Sequence, residues 1–141
     1  MNLNLKYPPV PENAPRFASD IVEAAAELDH VTLTFTPLSL SDVDTIIENM
    51  RSGGLTLSQI AETIFGFGCY VGEVLVRNAR GRWRLRSETQ LAGFGGMPIV
   101  VELGSGTVCD PVGKAFKRFQ NGKPDSLMYF YKVLTAPPER K

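Results

Sequence analysis

The sequence predicts an α+β fold: a long central helix packed against a small antiparallel sheet, with flanking helices. Three observations predict it. Residues 56–79, TLSQIAETIFGFGCYVGEVLVRNA, are the longest stretch of helical character, and at 1.5 Å per residue they would run about 34 Å, the width of a small domain. At about 100° per residue, Gln59, Glu62, Thr63, Gly66, Tyr70, Glu73 and Arg77 fall in one narrow stripe. Almost everything else on that helix is apolar or glycine, so roughly two-thirds of its circumference calls for burial. The second observation is a hairpin signal, residues 99–103 and 107–109 around Gly104-Ser105-Gly106. The third is helical spacing of apolar residues on both sides of these two stretches.

Taken in order, residues 1–15 carry Pro8, Pro9, Pro11 and Pro15, which predicts an extended arm ahead of a single domain over 16–141. Ser19 is placed to cap a short helix over 20–28, with Ile21, Ala24, Ala25 and Leu28 on one side. Val31, Leu33 and Phe35 alternate with Thr32, Thr34 and Thr36, a short strand or extended connection that Pro37 stops. Ser41 to Asp44 opens a helix with capping-box chemistry, and Val43, Ile46, Ile47 and Met50 line one face of it. Gly53-Gly54 ends it. Thr56 and Gln59 then fit a capping box for the central helix, and Glu73 and Arg77 stand i,i+4 in the favourable order.

Gly68 and Gly72 lie in the apolar face of that helix, where each glycine costs about 1 kcal/mol relative to alanine. Close approach of a neighbouring strand or helix accounts for them. Gly66, Gly68 and Gly72 also spell a pattern near a dinucleotide fingerprint, but the chemistry needs a strand leading directly into a helix N-terminus. No strand precedes this helix, so the reading fails. After Gly81, Trp83 and Leu85 alternate with Arg82, Arg84 and Arg86 in a half-buried strand, and Gly93, Gly95 and Gly96 make 87–97 a permissive loop. Asp110-Pro111 serves as cap and first turn of a helix bearing Val112, Phe116 and Phe119, which Gly122 ends. A last helix starts at Asp125 or Ser126, with Leu127, Phe130, Tyr131 and Leu134 at helical spacing, and Pro137-Pro138 stops it.

With 43% hydrophobic and 21% charged residues, a chain of 141 is ordinary globular material able to bury a core. The zero net charge conceals a polarity. Through Val76 there are three basic residues against ten acidic, and from Arg77 onward twelve basic against five acidic. That argues against a uniformly basic nucleic-acid binder. The start, Met1 to Lys6, lacks the apolar run of a signal peptide, and Glu62 and Glu73 interrupt the longest apolar stretch. A cytoplasmic protein with no membrane partner is expected. Cys69 and Cys109, without a CxxC, are then reduced structural thiols.

Candidate chemistry is sparse. His30 is the only histidine and has no nucleophile motif beside it, which leaves it a surface or capping role. No cluster of His, Cys and carboxylates suggests a metal, and neither a metal nor a cofactor is expected. The segment 93–96 lacks the lysine, hydroxyl and helix of a phosphate loop. Arg77, Arg80, Arg82, Arg84 and Arg86 put five guanidinium groups within ten residues, with Trp83 among them. They suit an acidic protein partner; as a solvated edge strand they would need none. Tyr70, Glu73 and Arg77, with Phe94 on the glycine-rich loop, are the candidate lining of a ligand cleft.

Leu28-Asp29, Pro37-x-Ser39-Leu40-x-x-x-Asp44, Tyr70-x-Gly72-Glu73-Val74, Gly81-x-Trp83, Pro98-Ile99-Val100-Val101, Asp110-Pro111 and Asn121-Gly122 follow one another in the chain. This pattern, spanning residues 27–131, resembles small bacterial proteins of the domain-of-unknown-function class. The resemblance implies a fold and no particular reaction; proteins of comparable size and composition occur among immunity proteins of bacterial toxin systems. The expectation is a non-catalytic bacterial protein-binding domain, of the immunity type that neutralises a toxin by direct binding, with an acidic surface on the partner. The alternative is a small enzyme or ligand-binding domain with a cleft around Tyr70, Glu73 and Arg77.

Overall fold

Thr56 starts the central helix with the capping box, its amide donating to the Gln59 side chain at 2.8 Å. The structure, a computed structural model, describes residues 3–137. Its helices are α1 (Ala14–Ala24), α2 (Leu40–Ser52), α3 (Leu57–Asn78), α4 (Pro111–Asn121) and α5 (Leu127–Thr135); its strands are β1 (Arg82–Leu85), β2 (Ile99–Glu102) and β3 (Val108–Cys109). The strands form one antiparallel sheet in the order β1-β2-β3, with Trp83 opposite Val101 and Val101 opposite Cys109. The fold is α+β, with α1 and α4 packed along α3 and the sheet set against its C-terminal half.

Every residue of α3 from Ile64 to Leu75 is buried. By length and composition alone α3 could cross a membrane, but 78% of its apolar window lies inside the fold. The glycines make this possible. A methyl group added at Gly68 would overlap the backbone of Val112 on α4, and one at Gly72 would overlap the Trp83 ring. Both sites are close approaches, as the sequence predicts, one to a helix and one to a strand.

Several boundaries differ from expectation, each for a local reason. The arm ends at Val10, because a turn at Pro11–Asn13 leads straight into α1. Pro15 stands in the first turn of α1, where its missing N–H has no intrahelical partner to lose. α1 therefore starts six residues before the expected 20, and Ser19 lies in mid-helix rather than at its cap. A π-helical turn, Ala25–Asp29, follows and ends at His30 in the left-handed conformation, the capping role expected of it. Residues 31–36 form no helix and pair with no strand, and the chain bends at Phe35 and Thr36. α2 begins at Leu40 with no capping box, since Ser39 turns its hydroxyl to Thr36 and Tyr70 instead. Arg86 leaves the strand for a 3-10 turn. Asp110 caps α4, accepting from the Gly113 amide at 2.8 Å, and Pro111 follows it as expected. Pro138 and the first two residues, on which expectations also rested, lie outside the described residues.

The closing helix is tied down from a distance. Asp44 on α2 accepts from the amides of Leu127 and Met128 at 2.8 and 3.1 Å and from the Ser126 hydroxyl at 3.0 Å. It thus caps α5 from more than eighty positions away. The same carboxylate meets Arg118 of α4 at 3.1 Å, and Arg118, only 3% exposed, also reaches Glu48 at 2.8 Å.

Two stability predictions follow from this packing. Gly68→Leu should drive α3 from α4 and cost about 1–3 kcal/mol, whereas Gly93→Ala, with open space around it, should stay within about 0.5 kcal/mol; urea unfolding compares them. Asp44→Ala should cost about 3 kcal/mol, since it strips a cap and one arm of a buried ion pair. Asp44→Asn, which keeps an acceptor for the α5 amides, should cost less in the same assay.

Candidate functional site

The stripe expected to be the wet side of α3 is dry through its middle. Tyr70 is 0% exposed and Glu73 only 5%. Trp83 and Arg77 engage Glu73, and what lies against Tyr70 is Phe35. Its ring lies 4.9 Å from that of Tyr70, and the Arg77 guanidinium sits 3.6 Å from the ring centre. The Phe35 amide donates to Tyr70 Oη at 2.8 Å, and its carbonyl accepts from Asn78 Nδ2 at 2.9 Å. These bonds hold a non-glycine residue at φ 59°, in the left-handed region.

Ser39 completes the arrangement. Its hydroxyl donates to the Thr36 carbonyl at 2.6 Å and lies 2.6 Å from Tyr70 Oη. Because Ser39 has a single proton, Tyr70 donates to Ser39 while accepting from Phe35. Burial pushes the Tyr70 phenol above its ordinary pKa, against the pull of the Phe35 amide that donates to it. Glu73 accepts from the Trp83 indole N–H at 2.9 Å and pairs with Arg77 at 3.7 Å. The residues proposed to line a cleft therefore come together, but as a closed internal network. Phe94 stands apart from it, 68% exposed on the loop between β1 and β2.

The five arginines do not form one row. Arg82 and Arg84 converge on a single carboxylate, Glu102 of β2, at 3.0 and 2.5 Å. Their hydrogen bonds, that from Arg82 foremost, hold Glu102 below its ordinary pKa. Arg86 is buried, pairs with Asp110 and donates to the Met97 carbonyl, so it anchors the loop and has left the surface. Arg77 is occupied by Glu73 and Phe35, and Arg80 is exposed in the left-handed conformation beside Gly104. Of the carboxylates that meet this set, Glu73 comes from the acidic N-terminal part, and Glu102 and Asp110 are local.

One groove was not foreseen. It holds about 740 Å³ between the arm, Leu3 to Pro9, and the segment Gly96–Pro98, with Phe65 of α3 in its lining. The arm alternates, with Leu3, Leu5 and Tyr7 turned to the core and Asn4 and Lys6 exposed. Tyr7 packs edge-on against Phe17, which packs edge-on against Phe65, and its hydroxyl donates to Asp20 at 2.9 Å. That alternation of Leu3, Leu5 and Tyr7 was the signal in the sequence; the prolines beside it drew the reading toward a detached arm. β1 packs against the turn that follows the arm.

Both cysteines are free and buried; burial raises the pKa of each thiol, that of Cys109 to about 12. Among the described residues no three of His, Cys, Asp and Glu gather as a metal site. No family model, curated protein or solved structure matches this chain.

Glu48 and Asp125 share the lowered pKa of Glu102, through hydrogen bonds from Arg118 and from Lys114 respectively. A carboxylate with a depressed folded-state pKa adds stability above its unfolded value, and that stability is lost as pH falls through the folded value. The ordinary values are 4.5 for glutamate and 3.8 for aspartate. The melting temperature should therefore hold from neutral pH down to about pH 5 and fall between about pH 4.5 and pH 3. Glu102→Gln should flatten part of that fall; an unchanged acid limb would show that the Arg82–Glu102–Arg84 cluster contributes nothing.

Proposed function

We propose that this chain is a non-catalytic bacterial protein-binding domain, an immunity protein that neutralises a toxin by direct binding. One observation carries the reading: an open apolar groove is lined by Leu3, Leu5, Tyr7, Phe65 and Met97, with Lys6 at its edge. The Lys6 side chain is 71% exposed and meets Asp20 only at 3.6 Å. Such a surface suits an apolar side chain of a partner flanked by acidic residues. The groups best suited to catalysis, Tyr70, Glu73 and Arg86, are instead tied into internal hydrogen bonds. The resemblance to small bacterial proteins and the expected cytoplasmic setting fit the same reading.

The reading frame next to this gene, expressed in a laboratory bacterium alone and together with this chain, provides the test. Arrest of growth by the neighbour, relief by this chain and a stoichiometric complex on gel filtration are the expected results. Met97→Asp, placed in the groove, should weaken that complex about tenfold or more while melting close to the parent. A neighbour that is harmless or unbound, or a variant that binds as the parent does, would overturn the proposal.

A further inference from the structure

The segment Val31 to Thr36 has the composition and alternation of a strand, yet it belongs to no sheet. Leu33 is buried at 3% exposure, Val31 and Phe35 are half-buried, and Thr32, Thr34 and Thr36 face solvent. Left-handed residues bound it, His30 at φ 57° and Phe35 at φ 59°, which leaves residues 31–34 as the straight part. The Phe35 amide points inward to Tyr70, so the planar trans peptide turns the Thr34 carbonyl the opposite way, outward. Strand alternation gives Thr32 the same outward sense. The amides and carbonyls of Thr32 and Thr34 meet no partner among the described residues. Nothing in residues 31–36 protects this edge, which has no lysine, no proline and no charge.

Exposed apolar and charged groups flank the edge. Leu28 and Leu38, each 78% exposed, stand at its two ends. Glu27 and Asp29 make no ion pair among the described residues and lie at the first end. Arg77, its side chain 50% exposed, lies over Phe35 at the other end.

We infer that two copies of this chain pair edge to edge, antiparallel, through residues 31–34. A two-fold axis at Leu33 sets Thr32 against Thr34 in both directions and closes about four backbone hydrogen bonds. The same operation brings the Leu28 end of one copy to the Leu38 end of the other. It also brings Glu27 and Asp29 toward the half-exposed side chain of the partner's Arg77, which its own Glu73 meets only at 3.7 Å, so the edge is complementary to itself in backbone polarity and can share that arginine. This inference does not rest on the toxin-binding reading, and either can fail alone.

Sedimentation velocity of the full chain between about 5 and 200 µM, a range that brackets a small and weak interface, tests it. The parent should pass from monomer to dimer across that range. Thr34→Pro, which deletes one outward amide, should stay monomeric while melting near the parent, and Thr34→Val, which keeps the backbone intact, should still dimerise. Amide exchange needs no variant: protection at Thr32 and Thr34 should rise about tenfold or more with concentration, as mass action requires. A parent that is monomeric throughout, a folded Thr34→Pro that still dimerises, or exchange at both threonines that ignores concentration would each overturn the inference.

Discussion

The structure depends on the absence of a side chain at Gly72. Because nothing projects there, the Trp83 ring lies directly on α3, and its indole N–H reaches Glu73 one residue further along. A carboxylate that is 5% exposed needs such partners, since an unpaired buried charge is costly. Arg77 supplies the second and places its other face on Phe35, whose amide in turn holds Tyr70. Sheet, central helix and the segment before α2 are thereby joined in one polar network threaded through the core. An alanine at position 72 would lift the indole and with it the donor that Glu73 requires.

The second constraint is electrostatic and long-range in sequence. The acidic first part and basic second part of the chain meet mainly at Arg118, where Asp44 and Glu48 of α2 hold a guanidinium of α4. Asp44 adds the amides of α5, so a single carboxylate organises three helices. Its worth lies in burial. The pairs on the sheet, Arg82 and Arg84 with Glu102, are nearer to solvent and individually weak. Charge segregation along the sequence therefore serves assembly at one junction, while most of the arginine set is balanced by residues of its own half.

How much of this was legible follows from what kind of information each feature needs. The central helix, its glycine contacts, the hairpin and the Asp110-Pro111 start of α4 were readable because period, cap and turn chemistry are local. The start of α1 was misplaced because four prolines suggest an extended chain, yet a proline in the first turn of a helix loses nothing. The stripe from Gln59 to Arg77 read as a wet face because sequence shows polarity and not what lies above it. Phe35 lies above it, brought there by a left-handed turn that no local rule for phenylalanine predicts. The groove could not be read, for its walls are a terminal arm and a loop some ninety residues later.

Strand propensity and strand formation come apart in residues 31–36. Threonine, valine and phenylalanine favour a pleated, half-buried surface, and the segment has one, with Leu33 and Phe35 on the inside. It lacks only a neighbour, and the left-handed residues at its ends steer it away from the sheet this chain builds. A strand-like segment can stay unpaired in this way when side-chain anchors fix it better than a ladder would. Here Tyr70, Asn78 and Arg77 do so, from one face of α3. Tyr70 and Arg77 of the polar stripe are thus consumed in holding a foreign segment, and with Glu73 they form an internal network in place of a cleft. Polar residues on a core helix mark a covered surface as readily as an open one. Which of the two they mark is decided by the segment that folds over them.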